Sequence, residues 1–133
     1  MESENDLINA VVDSYNLRIR EGVLTFNLDL KCADGYFQLF GLLPLYSPNK
    51  YKNKISEAEY TGFFINEVFK VLAINDIDDC THKPLRIQRN EKGEISTIYH
   101  FLDDSISFSP EIDIKEYLKL VHENIKKPNP NSK

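Results

Sequence analysis

Short runs of alternating hydrophobicity, joined by tight turns and interrupted by two amphipathic stretches, predict an α+β fold. The predicted order is β-β-β-α-β-β-α: a mostly antiparallel five-stranded sheet, one central helix packed on it, and a C-terminal helix. Three observations carry this. Leu24, Phe26, Leu28 and Leu30 alternate with Thr25, Asn27, Asp29 and Lys31, as a half-buried strand requires. Phe64, Ile65, Val68, Phe69 and Leu72 recur at helical spacing and make a wide apolar stripe. Leu85–Arg89 and Glu94–Leu102 flank Asn90-Glu91-Lys92-Gly93, a hairpin turn whose glycine can take positive φ.

The elements follow in order. Met1–Asp6 is polar and expected to fray. In Leu7–Arg20, Ile8, Ala10 and Val12 keep one period of two, and Tyr15, Leu17 and Ile19 keep another. The phase slips near Asp13–Ser14, which predicts a bulged strand. Glu21-Gly22 turns the chain into the Leu24–Leu30 strand. Ala33-Asp34-Gly35 turns it again into a third strand, Tyr36–Leu45, so the three form an antiparallel meander. Tyr46–Ile55 reads as a loop. Ser56 is placed as the N-cap of a helix running to about Ala73, with Glu59 reaching back to it. Gly62 weakens this helix, and close packing against the sheet would explain it. Asp76–Lys83 is an acidic connection, and Pro84 opens the strand that follows. Ser109-Pro110 is a helix start, with Ile114, Tyr117, Leu118, Val121 and Ile125 as the apolar stripe. That stripe needs the free face of the sheet or a second subunit to cover it. Residues 1–127 are read as a single α+β domain and 128–133 as a disordered tail.

The chain has 133 residues, 41% hydrophobic and 28% charged, which suits one globular domain. Sixteen Lys and Arg against 21 Asp and Glu leave a net charge of −5, which disfavours binding to duplex nucleic acid. No apolar run has membrane-spanning length, so a membrane partner is not expected and a cytoplasmic location is. Cys32 and Cys80 are isolated and read as reduced thiols.

No residue set spells out a reaction. His82, His100 and His122 have no metal-ligand spacing, and Asp76–Asp79 lacks the glycine and distal Glu of a calcium loop. No nucleophile elbow or glycine-rich phosphate loop occurs. No catalytic residue, metal or cofactor is therefore expected, and the protein is read as not an enzyme. The basic side chains are more suggestive. Arg86 and Arg89 share one short strand behind Lys83, and Arg18, Arg20 and Lys31 lie on predicted neighbours. The planar guanidinium suits phosphate capture, and Phe37 and Phe40, or Tyr36 and Tyr99, could supply stacking faces for a base, with Phe40 and Tyr99 taken as the candidates. Gln38 and His100 complete a candidate ligand set as polar readers.

Several segments together resemble a family of small phage proteins. They are L-T-F-N-L-D-L at Leu24–Leu30, Q-L-F-G at Gln38–Gly41, the helix from Gly62 to Leu72, K-P-L-R-I at Lys83–Ile87, and the segment Gly93–Asp104 ending in H-F-L-D-D. The pattern is similar to the first-described type of Thoeris anti-defence proteins. That resemblance implies a homo-oligomeric sponge that sequesters a nucleotide-derived immune signal of the cyclic ADP-ribose type in the host cytoplasm without cleaving it. The chain carries Tyr36–Leu42 where the family has a glycine-rich turn, and Ser105–Phe108 where it has an aromatic pair. A second expectation follows from that departure and from the acidic charge. It is an anti-CRISPR-like inhibitor that blocks a basic surface of a bacterial defence nuclease.

Overall fold

A computed structural model describes residues 6–41 and 56–126, without the side chains of Glu57 and of residues 122–126. The expected end of the third strand at 42–45, the loop at 46–55, the side chains of His122 and Ile125, and the tail at 128–133 fall outside this range.

The bulge appears where the phase slips. Strand β1 (Ile8–Arg20) pairs with β2 (Val23–Cys32) from Ala10↔Cys32 to Arg20↔Val23, and the register shifts between Val12 and Ser14. The extra residue, Asp13, keeps Tyr15, Leu17 and Ile19 on the side already taken by Ala10 and Val12. The Glu21–Gly22 turn has φ of 51° and 80°, both positive, as a two-residue hairpin with right-handed twist demands. Strand β3 (Phe37–Gly41) adds to the free side of β2, and the expected meander results.

Helix α1 (Glu57–Leu72) starts at Ser56, whose hydroxyl accepts from the Glu59 amide. It stops at Ala73, which takes the left-handed conformation usually given to glycine, and the Ile74 amide then donates to the Phe69 carbonyl. A short 3₁₀ turn, Ile77–Asp79, lies in the acidic connection. Strands β4 (Pro84–Arg89) and β5 (Ile95–His100) form the expected hairpin, and β4 pairs with the first residues of β1.

Two expectations need correction. The sheet has six strands among the described residues, because Ser107–Phe108 adds β6 to β5. Strand β5 ends at His100, so Phe101 and Leu102 leave the sheet for the turn into β6. The order is β3-β2-β1-β4-β5-β6, antiparallel throughout.

Phe40 on β3 and Phe108 on β6 belong to opposite edges of this sheet. In a flat sheet with strands about 4.8 Å apart, those edges would lie roughly 24 Å from each other. Their ring centroids are 6.0 Å apart. The sheet is therefore curled into a trough, and α1 fills it. Phe64 stands at the centre, with ring centroids 5.2 Å from Phe40, 5.1 Å from Phe108 and 6.1 Å from Phe26. Val12, Leu28, Leu30, Leu85, Ile87, Ile98, Val68 and Val71 complete the core.

The C-terminal helix α2 (Pro110–Lys126) does not cover the outer face. Its first turns join the same core: Ile114 is fully buried, and the Tyr117 ring lies 4.8 Å from Phe63 of α1. Ser109 before it shares a 2.6 Å hydroxyl contact with Thr97, and Asp113 accepts from the Ser109 amide.

Gly62 is exposed, and a Cβ there would meet nothing within 4 Å, so close packing does not explain it. Gly41 is the opposite case. Its φ is 121°, and a Cβ would sit 2.5 Å from the Phe26 carbonyl oxygen. Chemical denaturation should therefore find Gly62→Ala more stable by about 1 kcal/mol. Gly41→Ala should be less stable by about 3 kcal/mol. Equal effects at the two positions would contradict the β2–β3 register.

Candidate functional site

Strand geometry separates the two arginines expected to act together. On β4, Arg86 stands in register with Asn9 and Tyr99, while Ile87 stands with Ile8 and Ile98. Arg86 thus shares the outer face with Gln88, and Leu85 and Ile87 face the core. Arg89 lies three residues on, beyond a register shift, and turns to the trough side.

Arg89 closes one rim of the trough. Its Nη1 and Nη2 donate to the two carboxylate oxygens of Asp34 at 2.5 and 3.2 Å. Its Nε donates to Gln38 Oε1 at 2.6 Å. The Gln38 amide nitrogen then donates to the Gly93 carbonyl at 2.8 Å. The β2–β3 turn, strand β3 and the β4–β5 turn are thereby joined across the sheet. The Tyr36 ring lies 5.9 Å from the guanidinium carbon. The Arg89 hydrogen bond holds the Asp34 carboxyl below the usual range, and the same bond raises Arg89. Beneath the pair, burial pushes the Cys32 thiol up.

Arg86 is engaged on the outer face. Its Nη2 pairs with Asp104 Oδ1, while its buried Nε has no hydrogen-bond partner. Tyr99 beside it donates to Gln88 Oε1 at 2.9 Å. His100 Nδ1 accepts from the Leu102 amide at 3.1 Å, which makes this histidine a brace for the turn that follows it. The expectation for Phe40 is corrected: it is 1% exposed and packed between Phe64 and Phe108, so neither ring face is available to a base. The exposed rings of this region are Tyr36 and Phe37, with Leu39 beside them. Lys31 lies 5.9 Å from the Phe37 ring centroid, and Arg18 is bonded to Asn16.

The six expected ligand residues therefore do not line one cavity. Gln38 and Arg89 meet at the rim. Arg86 and Tyr99 share the outer face, His100 braces a turn, and Phe40 is core. A phosphate approaching Arg89 must displace the Asp34 carboxylate, and one approaching Nη2 of Arg86 must displace Asp104. Sequence reasoning missed those carboxylates, Asp34 and Asp104. Asp34 sits in a plain turn signal, and nothing local tells that it lies opposite a residue 55 positions away. Among the described residues, no three His, Cys, Asp or Glu side chains are grouped to hold a metal ion, and no helix is long and apolar enough to cross a membrane. Comparison with protein-family models, curated proteins and solved structures found no match.

Two measurements check this arrangement. Because Asp34 has a lower pKa folded than unfolded, its pair with Arg89 stabilises fully above about pH 4 and weakens as pH falls through the lowered value. Between about pH 6 and pH 3, wild type should lose more stability in urea titrations than Asp34→Asn does. Equal losses would mean that the pair does not form in solution. Separately, Phe40→Ala should cost about 3–5 kcal/mol of stability, whereas Phe37→Ala should stay within about 0.5 kcal/mol.

Proposed function

We propose that this chain is a non-enzymatic counter-defence protein of the bacterial cytoplasm that occupies a basic surface on a partner protein. The observation that carries the reading is the commitment of Arg86 and Arg89 to carboxylates. That commitment ties both β4 guanidiniums to carboxylates on a chain of net charge −5. At the same time large apolar side chains stand exposed on its turns and on β3. A net-acidic chain with exposed rings suits a protein face lined with Lys and Arg better than a phosphate ester. The counter-defence setting rests on the resemblance of the Leu24–Leu30 and Gly93–Asp104 segments to phage proteins.

Affinity purification should recover one basic protein, bound more weakly as ionic strength rises. Heat-denatured protein should release no nucleotide detectable by mass spectrometry. A stoichiometric nucleotide in that extract would overturn the reading.

One observation favours the other expectation, sequestration of a cyclic ADP-ribose-type signal by a homo-oligomer. The Arg86 Nε is a buried donor without a partner, beside the Tyr99 ring. Calorimetry with cyclic ADP-ribose isomers decides between the two. The protein-partner reading expects no heat. Saturable heat that disappears in Arg86→Met would establish the sponge instead.

A further inference from the structure

The turn from β5 to β6, residues 101–106, exposes three apolar side chains within six positions. Leu102 is 81% exposed, and Phe101 and Ile106 flank it at 37% each. Exposed leucines at loop tips are common, and exposure alone says little. This turn differs in how tightly it is held. The His100 amide donates to the Ile106 carbonyl at 2.9 Å, and the Ile106 amide donates to the Asp103 carbonyl at 3.1 Å. The Leu102 amide donates to His100 Nδ1. Asp103 Oδ1 accepts from both the amide and the hydroxyl of Ser105, at 2.9 and 2.6 Å. Arg86 anchors Asp104 from the body of the sheet.

A free chain loses about 1–2 kcal/mol per residue when its backbone is fixed. Here that loss is met in folding, so the turn meets a partner already ordered. A braced projection with one largely exposed aliphatic tip has the form of an interface anchor. Its flanking charge sets the class of partner. Asp103 sits beside the tip on a chain of net charge −5, while the charge of Asp104 is met by Arg86. Tips that insert into lipid carry Lys or Arg to meet anionic headgroups, so this one is repelled from a membrane. A protein pocket with an apolar floor and a Lys- or Arg-bearing rim complements both the leucine and the Asp103 carboxylate.

We infer that Leu102, held on this braced turn, is the anchor that inserts into an apolar, basic-rimmed pocket of the partner protein. The inference rests on the protein-partner reading above and assigns that reading its contact point. Arg86 and His100 then act as positioning residues for the turn.

The test uses the partner isolated by affinity purification. Leu102→Asp should weaken its binding by about thirty-fold or more, with an unchanged melting temperature because the side chain is exposed. Arg86→Met should weaken binding less, by loosening the turn, and Ile112→Ser, at an exposed position of α2, should leave it unaltered. Both native cysteines are buried, so a benzophenone maleimide can be placed on Leu102→Cys or, as a control, on Ile112→Cys. The label at 102 should crosslink to a partner peptide that combines apolar residues with Lys or Arg, and the label at 112 should not. Binding unchanged in Leu102→Asp, or a crosslink from 102 to a second copy of this chain, would overturn the anchor while leaving a protein partner in place. Failure to isolate any partner would remove the protein-partner reading and the anchor together.

Discussion

Phe64 is the residue on which both edges of the sheet converge. A six-stranded sheet has no intrinsic reason to bring its first and last strands together, because twist alone spreads them. Here a ring from β3 and a ring from β6 both pack on one phenylalanine of α1, and they touch each other as well. Aromatic pairs of this kind, two edge-on and one tilted, each add about 0.5–1.5 kcal/mol beyond the area they bury. The curl that they fix decides what every other strand residue faces.

The curl also decides the electrostatics. It carries the β2–β3 turn towards the end of β4, where Asp34 and Gln38 take every nitrogen of the Arg89 guanidinium. On the outer face the β5–β6 turn folds back so that Asp104 reaches Arg86. Two cations that appear available in a linear reading thus serve as fasteners. One holds the rim of the trough and the other holds a turn. Large apolar side chains, among them Tyr36, Phe37 and Leu102, remain outward.

Local signals in the chain were readable where they involve neighbours in sequence. The slip at Asp13 marked a bulge, Ser56 marked a helix start, and Asn90–Gly93 marked a hairpin. Strand β6 was not readable, since two residues have no periodicity and the proline of the next helix follows at once. Phe40 illustrates a deeper limit. In β3, Phe37 and Leu39 share one face and Phe40 the other, but no local signal tells which face the helix covers. The separation of Arg86 from Arg89 was implicit in the period of a strand, yet their partners were not. Asp34 and Asp104 come from distant turns, and only the closed trough brings them near. Leu102 looked like the end of a strand, and its exposure depends on where β5 stops pairing.

The closure of the trough is most directly tested by proton NMR of the folded protein. Nuclear Overhauser contacts between the ring protons of Phe40 and Phe108 are expected to be strong, with both rings also in contact with Phe64. If each phenylalanine contacts only its own strand neighbours, the sheet is open. The commitment of Arg89 to Asp34, and the view of the surface built on it, would then be contradicted.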